Sequence, residues 1–194
     1  MDQTQQVSEP VSSSTTLVTP VTPADHVLGP EDAPVTIVEY GEFECPHCGR
    51  AHFQLKSLRD RFDELGVRLV FRHLARDDVH PFSVRAAVTS EAAARQGRFW
   101  EMHDHLFEHQ HQLEYEDLKR HAEAVGLDLD RFLEDVRDPQ LQEVVKAQGE
   151  GALRSGVEAT PTFFFNGRVY DGSYQADALV AAIESAKAGS GQSP

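Results

Sequence analysis

Cys45 and Cys48 are the two cysteines of this 194-residue chain, and two residues, Pro46 and His47, separate them. Three chemistries suit such a pair. A permanent bridge would close a very short loop, which removes little entropy from the unfolded chain, so it is a poor staple. A closed zinc site wants four ligands. No second cysteine pair exists to supply them, and His47 and His52 would have to fold back against helix geometry. Reversible thiol exchange fits better. A thiolate at a helix N-terminus is stabilised by unpaired N–H groups and by the positive end of the helix dipole. In a Cys-x-x-Cys motif that environment lowers a thiol pKa from about 8.5 into a range of roughly 3.5–7.5. Cys45 is then the attacking sulfur. Cys48, one turn further in and more covered, resolves the mixed disulfide. Pro46 suits the first helical position, where its missing N–H has no partner to lose. His47 adds a dipole, and a charge when protonated, that favours the thiolate and so the reduced state. A centre whose reduced form is stabilised gives its disulfide away and acts as an oxidant.

Two further positions extend this constellation. Glu39 lies six residues before Cys45 within the apolar run Val-Thr-Ile-Val-Glu-Tyr. A buried acid costs free energy unless it has a task or a partner. Desolvation raises its pKa, which lets it pass protons to or from Cys48 during exchange; the competing reading is a carboxylate that reaches water at a strand end. Thr160-Pro161 precedes another apolar run. X–Pro is the one linkage where a cis peptide is cheap, and a cis bond would turn the Thr160 backbone toward the sulfurs. Its N–H and C=O could then pair with an extended substrate segment by strand addition. The plain alternative is a proline at a strand start.

The elements that must hold these residues are legible as patterns. Val35 to Tyr40 is β-branched and nearly continuously apolar, as in a strand covered on both faces. A helix opens at Pro46; Leu58, Phe62 and Leu65 keep helical spacing and Gly66 stops the run. Val67 to His73 is the next strand, giving a right-handed parallel βαβ unit. From Pro81 to Gly156 the periodicity is helical, with an Asp cap before Leu129 and a last helix opened by Pro139 that carries Leu141, Val144, Val145 and Ala152. Asn166-Gly167 then predicts a tight hairpin, and an amphipathic helix closes the pattern. The expected fold is α/β: thioredoxin-like βαβ and ββα halves, with an all-helical insertion between them. Residues 1–22, rich in Ser, Thr, Gln and Pro, read as a disordered or loosely docked arm. Residues 23–188 form one domain (halves 23–80 and 157–188, insertion 81–156), and 189–194 a flexible tail.

With these motifs in place the chain resembles the DsbA-like thiol-disulfide oxidoreductases, in their simple bacterial branch. The likeness covers residues 26 to about 184. It rests on DHVLGPEDAPVTIVEYGEFECPHCG, GRFWEMHDHLFEHQ, AVGLDLDRFLEDV and GVEATPTFFFNGRVYDG. The resemblance implies Cys45 as nucleophile, Cys48 as resolving thiol, Pro161 as a cis-proline and Thr160 as its specificity neighbour. Pro46-His47 matches the strongly oxidising members, and Glu39 falls where the family keeps a buried acid. It implies protein thiols or disulfides as substrates, a redox recycling partner, and no cofactor beyond the Cys45–Cys48 disulfide. Ala159, where the family usually has glycine, departs from the pattern at the approach to substrate. The direction of exchange stays open between oxidase and reductase or isomerase.

Composition narrows the alternatives. A formal net charge of −14 argues against nucleic acid and anionic membrane surfaces, which are bound through Lys and Arg. No run of about 18 apolar residues is present to span a bilayer. The first residues lack the basic and apolar regions of a secretory signal. The expectation is a cytoplasmic monomer, with an extracytoplasmic location as the alternative if a leader is missing. A glutathione-dependent transferase or isomerase on the same scaffold would not need the second cysteine. A metal-binding module is the other competitor. His103, His105, His109 and His111 crowd one helical segment, and His105 and His109, at i and i+4, could share an ion with Asp104 or Glu108. The competing reading there is a solvated helix face.

Overall fold

The computed structural model describes residues 16–190. Its five-stranded sheet has the order β1-β3-β2-β4-β5. The strands are β1 (His26–Leu28), β2 (Val35–Gly41), β3 (Val67–His73), β4 (Thr162–Phe165) and β5 (Arg168–Tyr170). β2 runs parallel to β3, with Gly41 opposite His73, and antiparallel to β4, with Glu39 opposite Phe163. Helix α1 (Pro46–Lys56) and the short α2 (Phe62–Leu65) connect β2 to β3. Five helices fill the gap between β3 and β4: α3 (Ser83–Ala94), α4 (Phe99–Glu108), α5 (Tyr115–Ala124), α6 (Leu129–Asp135) and α7 (Pro139–Arg154). Helix α8 (Ala176–Ser190) follows β5. This is the thioredoxin-like fold with its helical insertion.

Alternation along β2 sorts the core. Val35 and Ile37 pack with Ala51, Leu55, Phe163, Leu179 and Ile183 on the α1/α8 face. Val38 and Tyr40 pack with Val70, Phe164 and Ala152 on the other. Cys45 and Cys48 belong to neither. They join a third cluster with Phe43, Phe71, Met102, Leu106 and Phe107, where the insertion meets the end of the sheet. The cysteine pair therefore sits on the seam between the two parts of the fold.

Local chemistry sets the helix ends. Asp128 and Asp138 accept from Arg131 N and Gln140 N at 3.1 and 2.9 Å, capping α6 and α7, and Pro139 takes the first turn of α7. Within α7 Val144 departs from the predicted stripe and is 39% exposed. The predicted helix after Pro46 is also not continuous. It ends at Lys56, passes through a 3₁₀ turn at Arg59–Arg61, and restarts as α2. Leu58, Phe62 and Leu65 remain buried in one cluster, Leu58 just before the 3₁₀ turn and Phe62 and Leu65 on the α2 turn that follows it. Gly66 stops α2 in the left-handed region, at φ +57°. A Cβ there would meet Pro34 Cγ at 3.0 Å. Gly66→Ala is expected to destabilise the fold by about 1–2 kcal/mol, the cost of an alanine at left-handed φ, measured as a shift in urea midpoint with unchanged m-value.

The hairpin turn has both Asn166 and Gly167 at positive φ, 47° and 80°, as a twist-matched two-residue turn requires. Two features lie outside the sequence reading. β1 pairs antiparallel with β3, and its Val27 carbonyl accepts from the Trp100 indole at 3.2 Å. Residues 16–22, expected to belong to a loose arm, are tied down. Leu17 N donates to Gly167 O at 2.9 Å and Val18 N to Ser155 Oγ at 3.0 Å. Buried Arg72 donates to Thr19 O and Pro20 O, both at 2.8 Å, to both Asp25 oxygens, and to Tyr40 OH. A buried guanidinium must satisfy its five N–H groups, and residues 16–22 accept two of these five bonds, with Asp25 accepting two more. The rest of the proposed arm, residues 1–15, and residues 191–194 of the proposed tail lie outside the described residues; 189 and 190 continue α8.

Candidate active site

β2 ends at Gly41, and the chain turns through Glu42, Phe43 and Glu44 before Cys45 caps α1. Each turn residue is anchored. Phe43 packs on Phe107 and Phe71 at centroid distances of 4.8 and 5.4 Å. His80 Nδ1 donates to the buried Glu42 Oε1 at 2.8 Å, and Phe82 N to Glu44 Oε2 at 2.7 Å. Gln110, at the end of the α4 segment, donates from one amide to Phe43 O at 2.7 Å and Cys45 O at 2.9 Å. That approach requires Gly49, since a Cβ there would lie 2.1 Å from Gln110 Oε1. The insertion thus grips the start of the cysteine helix from outside the thioredoxin core.

Cys45 is 5% exposed and Cys48 fully buried; both are free thiols in this structure. Cys45 Sγ lies 3.5 Å from Thr160 O, and the Thr160–Pro161 bond is cis. The two sulfurs titrate in opposite directions. The hydrogen bond from the Cys48 thiol leads in lowering the Cys45 pKa to about 5, against burial, with the Thr160 side chain and the backbone N–H groups of Cys48 and His47 adding to it. Burial pushes Cys48 well above its ordinary value, and the neighbouring Cys45 and Glu39 push it further. Glu39 is buried, and its Oε1 has no hydrogen-bond partner among the described residues. Burial raises its pKa to about 8, opposed by Arg59 and assisted by Cys45.

The structure brings Cys45, Cys48, Glu39, Thr160 and Pro161 together. Pro46 occupies the first turn of α1, exposed. His47 is exposed on the first turn of α1. Its Nδ1 accepts from Arg50 at 2.8 Å and lies 3.5 Å from Tyr174 OH, so its action on Cys45 comes through the backbone. His52 is buried against Phe107 and His103. Among the described residues, neither cluster with metal-ligand spacing includes a cysteine. Gln110 and the Glu42–His80 pair escaped the sequence reading. A single glutamine 65 positions from its acceptor carries no local signal, whereas an acid three residues before the motif could have prompted a search for a partner.

This fold and this site place the chain in a class, and comparison with known proteins agrees. A family model described as thioredoxin (Thioredoxin_4) matches residues 21–185. The chain belongs to that family, in its DsbA-like form with a helical insertion. A thioredoxin-like oxidoreductase from Silicibacter pomeroyi DSS-3 superposes with a TM-score of 0.76 at 28% identity, covering 86% of this chain and 94% of that one. BdbD from Bacillus subtilis, in its oxidised form, gives 0.73 at 25% identity over 84% and 92%. Among curated proteins, the chain is 50% identical over 174 residues to Na(+)/H(+) antiporter NhaA 1 of Salinispora arenicola (strain CNS-205), covering 89% of this chain and 26% of that protein. It is 41% identical over 187 residues to NhaA 1 of Mycobacterium sp. (strain KMS), covering 95% and 30%. The chain therefore spans between a quarter and a third of these curated relatives. No helix among the described residues is long and apolar enough to cross a membrane.

Proposed function

We propose that the chain is a protein thiol oxidant, exchanging its Cys45–Cys48 disulfide for the dithiol of a substrate protein. The observation that carries this reading is the split between the two sulfurs: Cys45 lowered to about 5 at a helix start beside Thr160, Cys48 buried and raised. In the oxidised enzyme a substrate thiolate attacks Cys45 Sγ. The Cys45–Cys48 bond breaks, a mixed disulfide forms on Cys45, and Cys48 leaves with its electron pair and takes a proton from Glu39. A second substrate thiolate then attacks the substrate sulfur of the mixed disulfide and expels Cys45 as a stabilised thiolate. The substrate has lost two electrons and gained a disulfide; the enzyme holds the dithiol until a disulfide-bearing recycling partner accepts those electrons. The Thr160 backbone, beside Cys45, offers hydrogen bonds to an extended substrate segment.

The reduced state gains from ionisation. A Cys45 pKa of about 5 favours it at pH 7 by about 2.7 kcal/mol, which for a two-electron couple raises the potential by about 60 mV. Equilibration with glutathione buffers is expected to give a potential above about −200 mV. A value below about −250 mV, in the range of reducing thioredoxins, overturns the oxidant reading. Glu39→Gln is expected to slow formation of the mixed disulfide when oxidised protein is mixed with a thiol, the step in which Cys48 leaves and takes the proton; an unchanged rate rejects the proton relay.

A further inference from the structure

His105 and His109 lie on and just beyond α4, and His121 lies on α5. The sequence offered Asp104 or Glu108 as companions for the first two imidazoles. The fold commits those acids elsewhere: Asp104 to Arg59, Lys56 and His103, and Glu108 to Lys56. His103 is buried in the aromatic cluster with Phe43, Phe71 and Phe107. In their place the packing of α5 on α4 brings in His121. The rings of His105, His109 and His121 lie 4.3, 4.8 and 5.3 Å apart by centroid, and one nitrogen from each falls within 4.8 Å of the others.

The proton positions are set from outside the cluster. His109 Nδ1 lies 2.8 Å from His105 O, and His121 Nε2 lies 2.7 Å from Gln112 O. A carbonyl oxygen only accepts, so those nitrogens carry the protons. The lone pairs are left on His109 Nε2 and His121 Nδ1. Backbone carbonyls holding the outer N–H of an imidazole are the usual second layer of a metal site. Burial holds His121 below its ordinary range, and burial followed by the charges of His109 and His121 does the same for His105. His121 is 4% exposed, so the cluster is more than a solvated helix face.

We propose that His105, His109 and His121 form a binding site for one divalent transition-metal ion of the zinc class, three imidazole nitrogens binding the ion and solvent completing a tetrahedron. Zn–N bonds of 2.0–2.1 Å require nitrogens about 3.3 Å apart, a contraction that side-chain rotation can supply. An all-imidazole set suits zinc, copper and nickel and leaves magnesium unbound. The site is remote in sequence from the cysteine pair but close to it in the fold: the residue after His109 is Gln110, which holds the Cys45 carbonyl.

The test is calorimetric titration of Zn²⁺ into the protein with Cys45–Cys48 oxidised, so that neither sulfur can ligate. The expected result is one equivalent bound, no uptake of Mg²⁺, and a loss of affinity of at least about 100-fold in each of His105→Gln and His109→Gln. His111→Gln, on the same segment but outside the cluster, is expected to bind as the parent does. His105 and His109 are only half-buried, and thermal unfolding without metal checks that their variants fold. A zinc-dependent rise in Tm, present in the parent and lost in these variants, gives a second readout. Absence of saturable binding, or binding unchanged in both variants, overturns the proposal; so does loss of binding in His111→Gln alone.

Discussion

Iodoacetamide at pH 6 is expected to alkylate Cys45 of the reduced protein about five- to tenfold faster than free cysteine, with the rate half-maximal near pH 5 and Cys48 unreacted. Two opposing effects set that figure. With a pKa of about 5 Cys45 is mostly thiolate at pH 6, whereas a free thiol of pKa about 8.5 is ionised to well under one per cent. The advantage in thiolate is on the order of 300-fold. Intrinsic nucleophilicity falls with basicity, with a Brønsted slope of about 0.4–0.5, and takes back roughly 25- to 50-fold. Cys48 is both inaccessible and held as a thiol. Cys48→Ala removes the S–H donor that leads in stabilising the Cys45 thiolate, so its half-point is expected to rise. That variant should also accumulate Cys45-linked mixed disulfides, because nothing returns to resolve them. Cys45→Ser should be inert in exchange. A parent half-point between pH 8 and 9 would remove the basis for the catalytic reading while leaving the fold untouched.

The same ionisation makes the stability of the two redox states diverge with pH. In the folded reduced protein the Cys45 pKa is depressed from 9.0 to about 5. A depressed acid adds stability that is complete above the unfolded pKa and is lost as pH falls through the folded one. The oxidised protein has no such group, and the titrations the two states share cancel in the difference. Reduced minus oxidised unfolding free energy is therefore expected to grow by about 2.7 kcal/mol between pH 4 and pH 7. For a domain of this size that is roughly 5–10 °C in relative Tm. Glu39, raised to about 8, stays protonated across that window and leaves the slope to Cys45. Paired thermal melts check the expectation; a pH-independent difference would mean that Cys45 is not ionised.

What could be read beforehand followed the range of the forces involved. The cysteine motif, the strand before it and the proline that starts α1 are local, and the residues themselves announce them. β3, the Asn166-Gly167 turn, the cap at Asp128 and the proline that opens α7 were legible for the same reason. Thr160 is 115 positions from Cys45, and its approach to the sulfur needed the resemblance to a known fold. Nothing local marked Gln110 as the clamp on Cys45 O, or His121 as the third imidazole beside His105 and His109. Each depends on how the insertion packs, which periodicity does not encode. β1 has three residues, too few to display alternation, and it exists because β3 offers it an edge. The break between α1 and α2 was hidden because Leu58, Phe62 and Leu65 keep the apolar spacing that suggested one helix.

The Arg72 cradle bears on how the protein can be dissected. Of the five hydrogen bonds its guanidinium donates, four end on Thr19, Pro20 and Asp25, upstream of the first strand. A shortened version starting at His26 would keep every strand and helix among the described residues yet leave a cation in the interior facing the Tyr40 hydroxyl alone. The minimal autonomous unit is therefore set by an electrostatic debt incurred in β3, and fusion or trimming junctions belong ahead of Thr19.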